Sequence, residues 1–202
     1  MPIQKSSFTR KQLDEMFKLG YRLAFETRGK KNWKEIFNLW YCAASGGIKR
    51  ARFYLGTCYD NGLGTRKNLS LAFHWYLRDA MDGQRDSQYN VGFFFRTNEL
   101  NIKNLRKMVY WYTKAAKSGL IDAQRDLGYA YFYGEGVRKD YQKAIYWYKK
   151  AAAHHDDKAL YNLGLCYKHG DGVVKSRRWA RHYFEKAARL GHKKAKRELH
   201  LR

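Results

Sequence analysis

The sequence predicts an all-α fold in which one pair of helices is repeated five times, on the strength of three columns of residues. Glycine recurs every 36 residues, at Gly20, Gly56, Gly92, Gly128 and Gly164. Alanine keeps the same spacing, at Ala44, Ala80, Ala116, Ala152 and Ala188. A large aromatic side chain follows twenty residues after each glycine, at Trp40, Tyr76, Tyr112, Tyr148 and Phe184. Self-similarity at one fixed period of this length is typical of repeat architectures, so we predict an α-solenoid.

Each repeat is predicted to hold two helices, A and B, joined by a turn. In the clearest repeat, residues 123–131 and 144–152 each place small and apolar side chains at helical spacing. The turn between them contains Gly134 and Gly136, and glycine suits a helix end that requires a left-handed residue. Helix B should begin at the same point in every repeat, because a capping side chain lies twelve residues after each repeated glycine. These caps are Asn32, Asn68, Asn104, Asp140 and Ser176.

The first repeat differs from the others and is predicted to form the N-terminal cap of the stack. Thr9 and Gln12 have the spacing of a capping box, so helix A should begin there and run to about Phe25. Helix B of this repeat is predicted from about Trp33 to Ser45.

Repeat 3 also departs from the pattern, since Asn98 and Leu100 stand where turn glycines are expected. The loop 97–102 should therefore have a different conformation while the 36-residue spacing is kept. After repeat 5, residues 192–202 are predicted to form a single, strongly basic closing helix.

The best-preserved repeat, Leu127 to Ala152, resembles the Sel-1-like repeat family, a relative of tetratricopeptide repeats. The family pattern A-x-x-x-L-G-x-x-Y-x-x-G-x-G-V, then K-A and W-Y-x-K-A-A, is met by Ala123 to Val137 and by Lys143 to Ala152. The resemblance implies a right-handed α-solenoid of five 36-residue two-helix repeats plus a C-terminal capping helix. It implies one Sel-1-like repeat domain over residues 1–202. The repeats would span about 13–48, 49–84, 85–120, 121–156 and 157–191, with the closing helix at 192–202.

The chain is strongly basic, with 41 Lys and Arg against 18 Asp and Glu and a formal net charge of +23. Residues 1–50, 101–150 and 151–202 carry +7, +7 and +8, whereas residues 51–100 carry +1. A charge of this size favours an acidic protein or a nucleic acid as partner. The alternative is a solvated, lysine-rich helical surface.

The N-terminal residues lack the apolar segment of a signal peptide, and no stretch reaches the roughly 20 apolar residues of a membrane span. We therefore expect a cytoplasmic protein without membrane contact. Cys42, Cys58 and Cys166 lie in three different repeats and cannot all pair, which favours free thiols.

In related two-helix solenoids helix A lines a concave groove, at positions three before and one, four and five after the repeated glycine. On this sequence the groove residues predicted to bind a partner are Phe17, Tyr21, Phe53, Tyr89, Phe93, Arg96, Arg125, Tyr129, Tyr133, Tyr161 and Lys168. Aromatic and arginine side chains are common anchors of binding hot spots. The alternative is that some of these rings pack between neighbouring A helices.

No arrangement in the sequence indicates catalysis, a cofactor or a metal site. His154 to Asp157 holds side chains that can bind metals, but it falls at a helix junction and is predicted to be a capped turn. The leading hypothesis is therefore a non-enzymatic scaffold or adaptor that binds an acidic protein or peptide, with an immunity protein against a bacterial toxin as one subtype. The alternative is a nucleic-acid-binding module that uses the basic surface.

Overall fold

The computed structural model describes residues 8–97 and 99–200, and within them the chain is all-helical. One π-helical turn, Arg22–Glu26, follows the first of eleven α-helices in these ranges. The α-helices are α1 Arg10–Tyr21, α2 Trp33–Ser45, α3 Lys49–Asn61, α4 Leu69–Met81, α5 Arg85–Arg96, α6 Leu105–Lys117, α7 Ile121–Tyr133, α8 Tyr141–Ala152, α9 Asp157–His169, α10 Arg177–Arg189 and α11 Lys193–His200. The odd-numbered helices α1 to α9 are the predicted A helices, and α2 to α10 are the B helices. This alternation confirms the predicted all-α fold.

The backbone groups into two compact units. The N-terminal unit is Met1–Phe94 with Glu99–Asn101, and the C-terminal unit is Phe95–Asn98 with Ile102–Arg202. The single domain over residues 1–202 stays a prediction, and the two units are described separately below.

The predicted caps are all confirmed, because each B helix begins at the expected side chain. In every repeat the cap oxygen accepts the backbone N–H three residues later, and the residue pairs are Asn32 with Glu35, Asn68 with Leu71, Asn104 with Lys107, Asp140 with Lys143 and Ser176 with Trp179. The capping box of Thr9 and Gln12 is also present at the start of α1. Capping is decided by residues within one helical turn, which is why the sequence predicts these helix starts well.

The predicted turn glycines end the A helices in the left-handed conformation, with φ of 70° at Gly62, 77° at Gly134 and 85° at Gly170. The second turn glycine has a packing role as well. A Cβ at Gly136 would clash with the backbone of Leu105, the first residue of the preceding B helix. The turn of one repeat therefore rests on the start of the B helix before it.

The loop after α5 has a different conformation, as predicted. α5 ends at Arg96, and Asn101 adopts a left-handed φ of 55°, whereas its equivalents in the neighbouring repeats are Thr65 and Val137. Asn98 lies outside the described residues. The Asn104 N–H then donates to the Phe95 carbonyl at 2.8 Å, as the Asp140 N–H does to Tyr131 at 2.9 Å in the next repeat. The irregular loop thus rejoins the regular pattern before α6.

The core of each repeat is built from the repeated glycine and the aromatic residue of helix B. A Cβ at Gly128 would lie 2.7 Å from the Tyr148 ring, so only glycine lets α7 and α8 pack this closely. Tyr148 is 1% exposed, whereas the neighbouring Trp147 is only half-buried. The ring column twenty residues after the glycine therefore forms the centre of the core.

The predicted closing helix is α11, which buries Ala195 against the preceding repeat. The last two positions of the predicted helix, 201 and 202, lie outside the described residues. Among the helices that are described, none is long and apolar enough to cross a membrane.

Candidate functional site

The predicted groove residues divide between the two units. Phe17, Tyr21, Phe53, Tyr89 and Phe93 belong to the N-terminal unit, and the other six belong to the C-terminal unit.

In the N-terminal unit, the aromatic residues of α1 cluster around a ring that the sequence analysis did not single out. Tyr54 lies 5.8 Å from Phe17, 5.8 Å from Tyr21, 5.9 Å from Phe25 and 5.0 Å from Trp40, measured between ring centroids. Its column holds Lys18, Asn90, Asp126 and Asn162 in the other repeats. An aromatic residue in an otherwise polar column was the signal that could have identified it.

Two of the five predicted residues in this unit are mainly packing residues. Phe17 is 7% exposed, and Phe53 lies 5.9 Å from the buried Tyr76 ring. Tyr89 is half-buried, whereas Tyr21 and Phe93 are 37% and 42% exposed. A surface pocket of about 710 Å³ lies beside Tyr21 and Tyr54. The wall of this pocket contains basic side chains, Lys and Arg, as well as Glu side chains. Its charge is therefore of mixed sign.

In the C-terminal unit, four predicted residues meet at one surface pocket of about 630 Å³, here called the basic pocket. The four are Arg96, Arg125, Tyr129 and Tyr161, supplied by α5, α7 and α9. Further residues from α7, α9 and the start of α11 complete its wall. These are Asp126, Lys158, Asn162, His192, Lys193 and Lys194.

Arg125 is the centre of an ion-pair network in the wall of the basic pocket. Its Nη1 lies 2.7 Å from Asp122 and 3.0 Å from Asp156, and its Nε lies 3.0 Å from Asp126. Burial lowers the pKa of the guanidinium, but the three carboxylates outweigh burial and hold the pKa above its usual value. Arg125 therefore stays protonated, and its positive charge is balanced by carboxylates of the protein itself.

Arg96 is held in a similar way. Its Nη2 and Nε donate to the Glu135 carboxylate at 3.2 and 3.4 Å, and its guanidinium lies 5.4 Å from the centroid of the Tyr129 ring. Burial lowers the pKa of Arg96, but Glu135, Tyr112 and Asp126 together hold that pKa above its usual value. The pair fixes the position of Tyr129, which is 38% exposed at the pocket surface.

The free positive charges of the pocket are lysines at its rim. Lys158, Lys193 and Lys194 are exposed, and none forms an ion pair within the described parts of the chain. They lie in the first turns of α9 and α11, outside the four columns assigned to the groove. The groove columns did not include them for that reason, although the basic character of the closing helix was a signal.

His192 connects the rim of the pocket to the start of α11. Its ring stacks on Tyr161 at 4.4 Å, and its Nδ1 accepts the Ala195 N–H at 3.1 Å. Burial lowers the pKa of His192, with a smaller raising effect from Asp157 and lowering effects from Lys194 and Lys158. A neutral imidazole is the form that can accept this hydrogen bond.

The two remaining predicted residues lie outside the wall of the basic pocket. Tyr133 is 62% exposed and lies 4.4 Å from Tyr129, so it extends the aromatic surface along α7. Lys168 forms an ion pair with Glu198 at 2.6 Å and lines a different pocket of about 540 Å³.

The segment with metal-capable side chains lies in a turn, and two of the cysteines are buried. His154 to Asp157 forms the predicted capped turn, in which Asp156 accepts the Ala159 N–H at 2.7 Å and His155 has a left-handed φ of 60°. Residues 8–97 and 99–200 contain no group of three His, Cys, Asp or Glu side chains that could hold a metal ion. Burial raises the pKa of the Cys58 and Cys166 thiols to about 12, which leaves them protonated and unreactive.

Comparison with protein families gives four consecutive matches to the Sel1 repeat, at residues 49–83, 85–120, 121–156 and 157–192. A curated relative, DAP3-binding cell death enhancer 1 of Rattus norvegicus, is 38% identical over 55 residues. That alignment covers 27% of this chain and 11% of the relative.

The similarity to solved structures with the same fold extends over nearly the whole chain. The protective antigen c5321 of uropathogenic Escherichia coli, which has an SLR fold, is 28% identical with a TM-score of 0.87 and covers 96% of this chain. This chain spans 43% of that protein. A Sel1 repeat protein from Oxalobacter formigenes is 29% identical with a TM-score of 0.83, over 93% of this chain and 76% of that one.

Immunity proteins are also among the structures with this fold. Pa5087 from Pseudomonas aeruginosa is 22% identical with a TM-score of 0.56, over 91% of this chain and 68% of that one. At this identity the likeness concerns the fold alone.

Proposed function

Because this chain belongs to the Sel1 repeat family, whose members are protein-interaction scaffolds, we propose that it is a non-enzymatic adaptor that binds an acidic protein or peptide at the basic pocket. Its place of action is proposed to be the cytoplasm.

The observation that carries the proposal is the contrast between fixed and free charges in the pocket. Arg96 and Arg125 are already paired with carboxylates, so they act as rigid supports for the surface. Lys158, Lys193 and Lys194 are exposed at the rim without an ion pair among the described residues. An acidic side chain that enters the pocket would therefore meet unneutralised ammonium groups.

The aromatic residues supply the second part of the recognition. Tyr129 in the wall of the basic pocket and Tyr133 beside it present exposed rings 4.4 Å apart on α7. Tyrosine contributes a large contact area with few rotatable bonds, which makes it an effective anchor. An acidic segment with apolar or aromatic residues between its carboxylates fits this combination.

Site-specific photo-cross-linking tests both the location and the chemistry of the partner. Benzoylphenylalanine is placed at Tyr129 and, as a control, at Tyr41, which is 36% exposed on α2. We expect an acidic protein to cross-link through position 129 and not through position 41. The triple variant Lys158→Gln, Lys193→Gln, Lys194→Gln should weaken binding of the purified partner about tenfold, because each rim charge contributes roughly 0.5 kcal/mol.

The matched control removes three exposed lysines of the N-terminal unit, Lys11→Gln, Lys34→Gln and Lys67→Gln, and should leave the affinity unchanged within about twofold. Equal weakening by the two triple variants would assign the effect to net charge and reject the pocket. Capture of the same partner through position 41 alone would reject it as well.

The role as an immunity protein stays a prediction of narrower scope, since its structural relatives of that kind share the fold alone. It requires that the captured partner be a toxin whose activity this chain inhibits.

A further inference from the structure

The positive charge of the C-terminal unit is concentrated on its B helices. Helices α6, α8 and α10 together hold twelve Lys and Arg and a single acidic residue, Glu185, whereas α7 and α9 hold three Lys and Arg and three Asp. All twelve basic side chains are exposed, and we call the surface they form the B-helix face. Its basic residues are Arg106, Lys107, Lys114, Lys117, Lys143, Lys149, Lys150, Arg177, Arg178, Arg181, Lys186 and Arg189.

The B helices of the N-terminal unit show that the repeat itself does not require this charge. Helix α2 holds one basic and one acidic residue, Lys34 and Glu35, and α4 likewise holds Arg78 and Asp79. Equivalent B helices are thus neutral overall in the N-terminal unit and strongly basic in the C-terminal unit. A general need for solubility would not produce this difference between equivalent helices.

Most of the charge on the B-helix face is not neutralised by the protein. Two of its twelve basic residues form ion pairs within the described part of the chain, Lys143 with Asp140 at 3.3 Å and Arg181 with Glu185 at 2.9 Å. The other ten face solvent without a carboxylate partner among those residues. A dense surface of one sign raises the local concentration of a polyanion and favours its binding.

Aromatic rings are exposed among these charges at equivalent positions of successive repeats. Tyr110 on α6 and Tyr146 on α8 stand 36 residues apart, and each is 53% exposed. Lys114 Nζ lies 4.8 Å from the centroid of the Tyr110 ring, and Lys150 Nζ lies 5.7 Å from that of Tyr146. Each of these exposed tyrosines therefore has an ammonium group over its ring, and an aromatic ring together with a cation is the combination that binds a base and its phosphate.

The exposed apolar residues of α6, α8 and α10 argue against a membrane as the polyanion. The large ones are Tyr110, Tyr146 and Trp179, and none of these three helices exposes a large aliphatic side chain or phenylalanine. Helices that lie in a membrane surface bury a continuous apolar face that includes such residues. Isolated aromatic rings that lie between cationic side chains are better suited to stack on unpaired bases than to enter a membrane.

We propose that the B-helix face of α6, α8 and α10 binds single-stranded nucleic acid, with lysine and arginine on the phosphates and Tyr110 and Tyr146 stacked on bases. This site is separate from the basic pocket, which lies on the A helices and α11. The adaptor would then hold a protein on one surface and a nucleic acid strand on another.

Fluorescence anisotropy with labelled oligouridylate and oligothymidylate of about 20 nucleotides tests the proposal in the full chain. We expect saturable binding that weakens steeply with salt, with a log–log slope of roughly −2.8 if about four phosphates are contacted. The variant Lys114→Gln, Lys149→Gln, Lys150→Gln, Arg178→Gln should weaken binding at least tenfold and flatten the slope. The variant Tyr110→Ala, Tyr146→Ala should weaken single-strand binding at least fivefold and leave duplex binding unchanged, because a duplex hides its base faces.

The matched control removes the same number of exposed charges from the N-terminal unit, Lys11→Gln, Lys34→Gln, Arg66→Gln and Lys67→Gln. Circular dichroism and the thermal midpoint establish that every variant is folded. Equal weakening by the two charge variants, or tyrosine variants that bind single strands as wild type does, would overturn the proposal. Tighter binding to vesicles of anionic phospholipid than to oligonucleotide would also overturn it and identify a membrane surface instead.

Discussion

Arg125 provides the sharpest test of how the C-terminal unit is held together. Its column in the sequence predicts a position in a partner-binding groove, whereas the structure surrounds it with Asp122, Asp126 and Asp156. The substitution Arg125→Met keeps the length and apolar stem of the side chain and removes the charge. It therefore measures the network rather than the packing of the stem.

The magnitude follows from the burial of the groups left behind. The side chains of Arg125, Asp126 and Asp156 are 14%, 16% and 10% exposed, so the substitution removes the Arg125 cation from beside two largely buried carboxylates. Breaking a fully buried pair costs about 3–5 kcal/mol, and the remaining solvent access reduces this to about 3 kcal/mol here. For a chain of this size, that corresponds to a thermal midpoint lowered by roughly 6–12 °C.

The assay is thermal and urea unfolding followed by circular dichroism, with Arg138→Met as the control. Arg138 is exposed and forms no ion pair among the described residues, so its substitution should change the stability by less than about 0.5 kcal/mol. The variant Asp156→Asn retains a cap for α9, and combining it with Arg125→Met should recover about 1 kcal/mol or more relative to additivity. If Arg125→Met unfolds at the wild-type midpoint, Arg125 is not a structural residue and its assignment as a binding anchor is restored.

Two further predictions concern histidines. The pKa of His192 lies below its usual 6.5, so the unfolded chain binds the proton more readily than the folded chain does. The stability that this residue contributes is present above about pH 6.5 and falls as the pH drops below that value. Thermal midpoints measured between pH 5 and 7 should reveal this loss in wild type, and His192→Asn, which can cap α11 without titrating, should lack it. The second histidine, His155, adopts a left-handed φ of 60° where the equivalent residues Gly47, Gly83, Gly119 and Gly191 are glycine. His155→Gly should therefore raise the free energy of unfolding by about 1 kcal/mol in urea titrations, and a lower value than wild type would show that the turn is not strained.

The sequence predicts the helices of this protein well because their boundaries depend on nearby residues. The capping side chains and the turn glycines act within one helical turn, so the bounds of α2, Trp33–Ser45, match the prediction. Which residues of a helix are buried is harder to predict from a single sequence. Trp147 and Tyr148 are adjacent aromatic residues, and large apolar side chains recur every 36 residues in both of their columns. The packing against Gly128 identifies Tyr148 as the core residue.

The candidate site was predicted in part, because its electrostatics depend on residues far apart in the chain. The groove columns correctly brought Arg96, Arg125, Tyr129 and Tyr161 to one pocket. They could not reveal that Arg125 meets Asp156, which is 31 residues away, or that Arg96 meets Glu135, which is 39 residues away. The free lysines lie in the first turns of α9 and α11, outside the groove columns. Whether these residues bind a partner stays a prediction.

The contact between a glycine-containing inter-helix turn and the preceding B helix gives the repeats of the C-terminal unit a direction. Gly136 covers the first residue of α6, and Gly172 packs on Tyr141 at the start of α8. The N-terminal ends of α6 and α8 are thus covered by a turn of the repeat that follows each of them in the chain. During synthesis from the N-terminus, α6 and α8 therefore gain this contact only after the turn of the next repeat has emerged, so each of these repeats is completed by its successor.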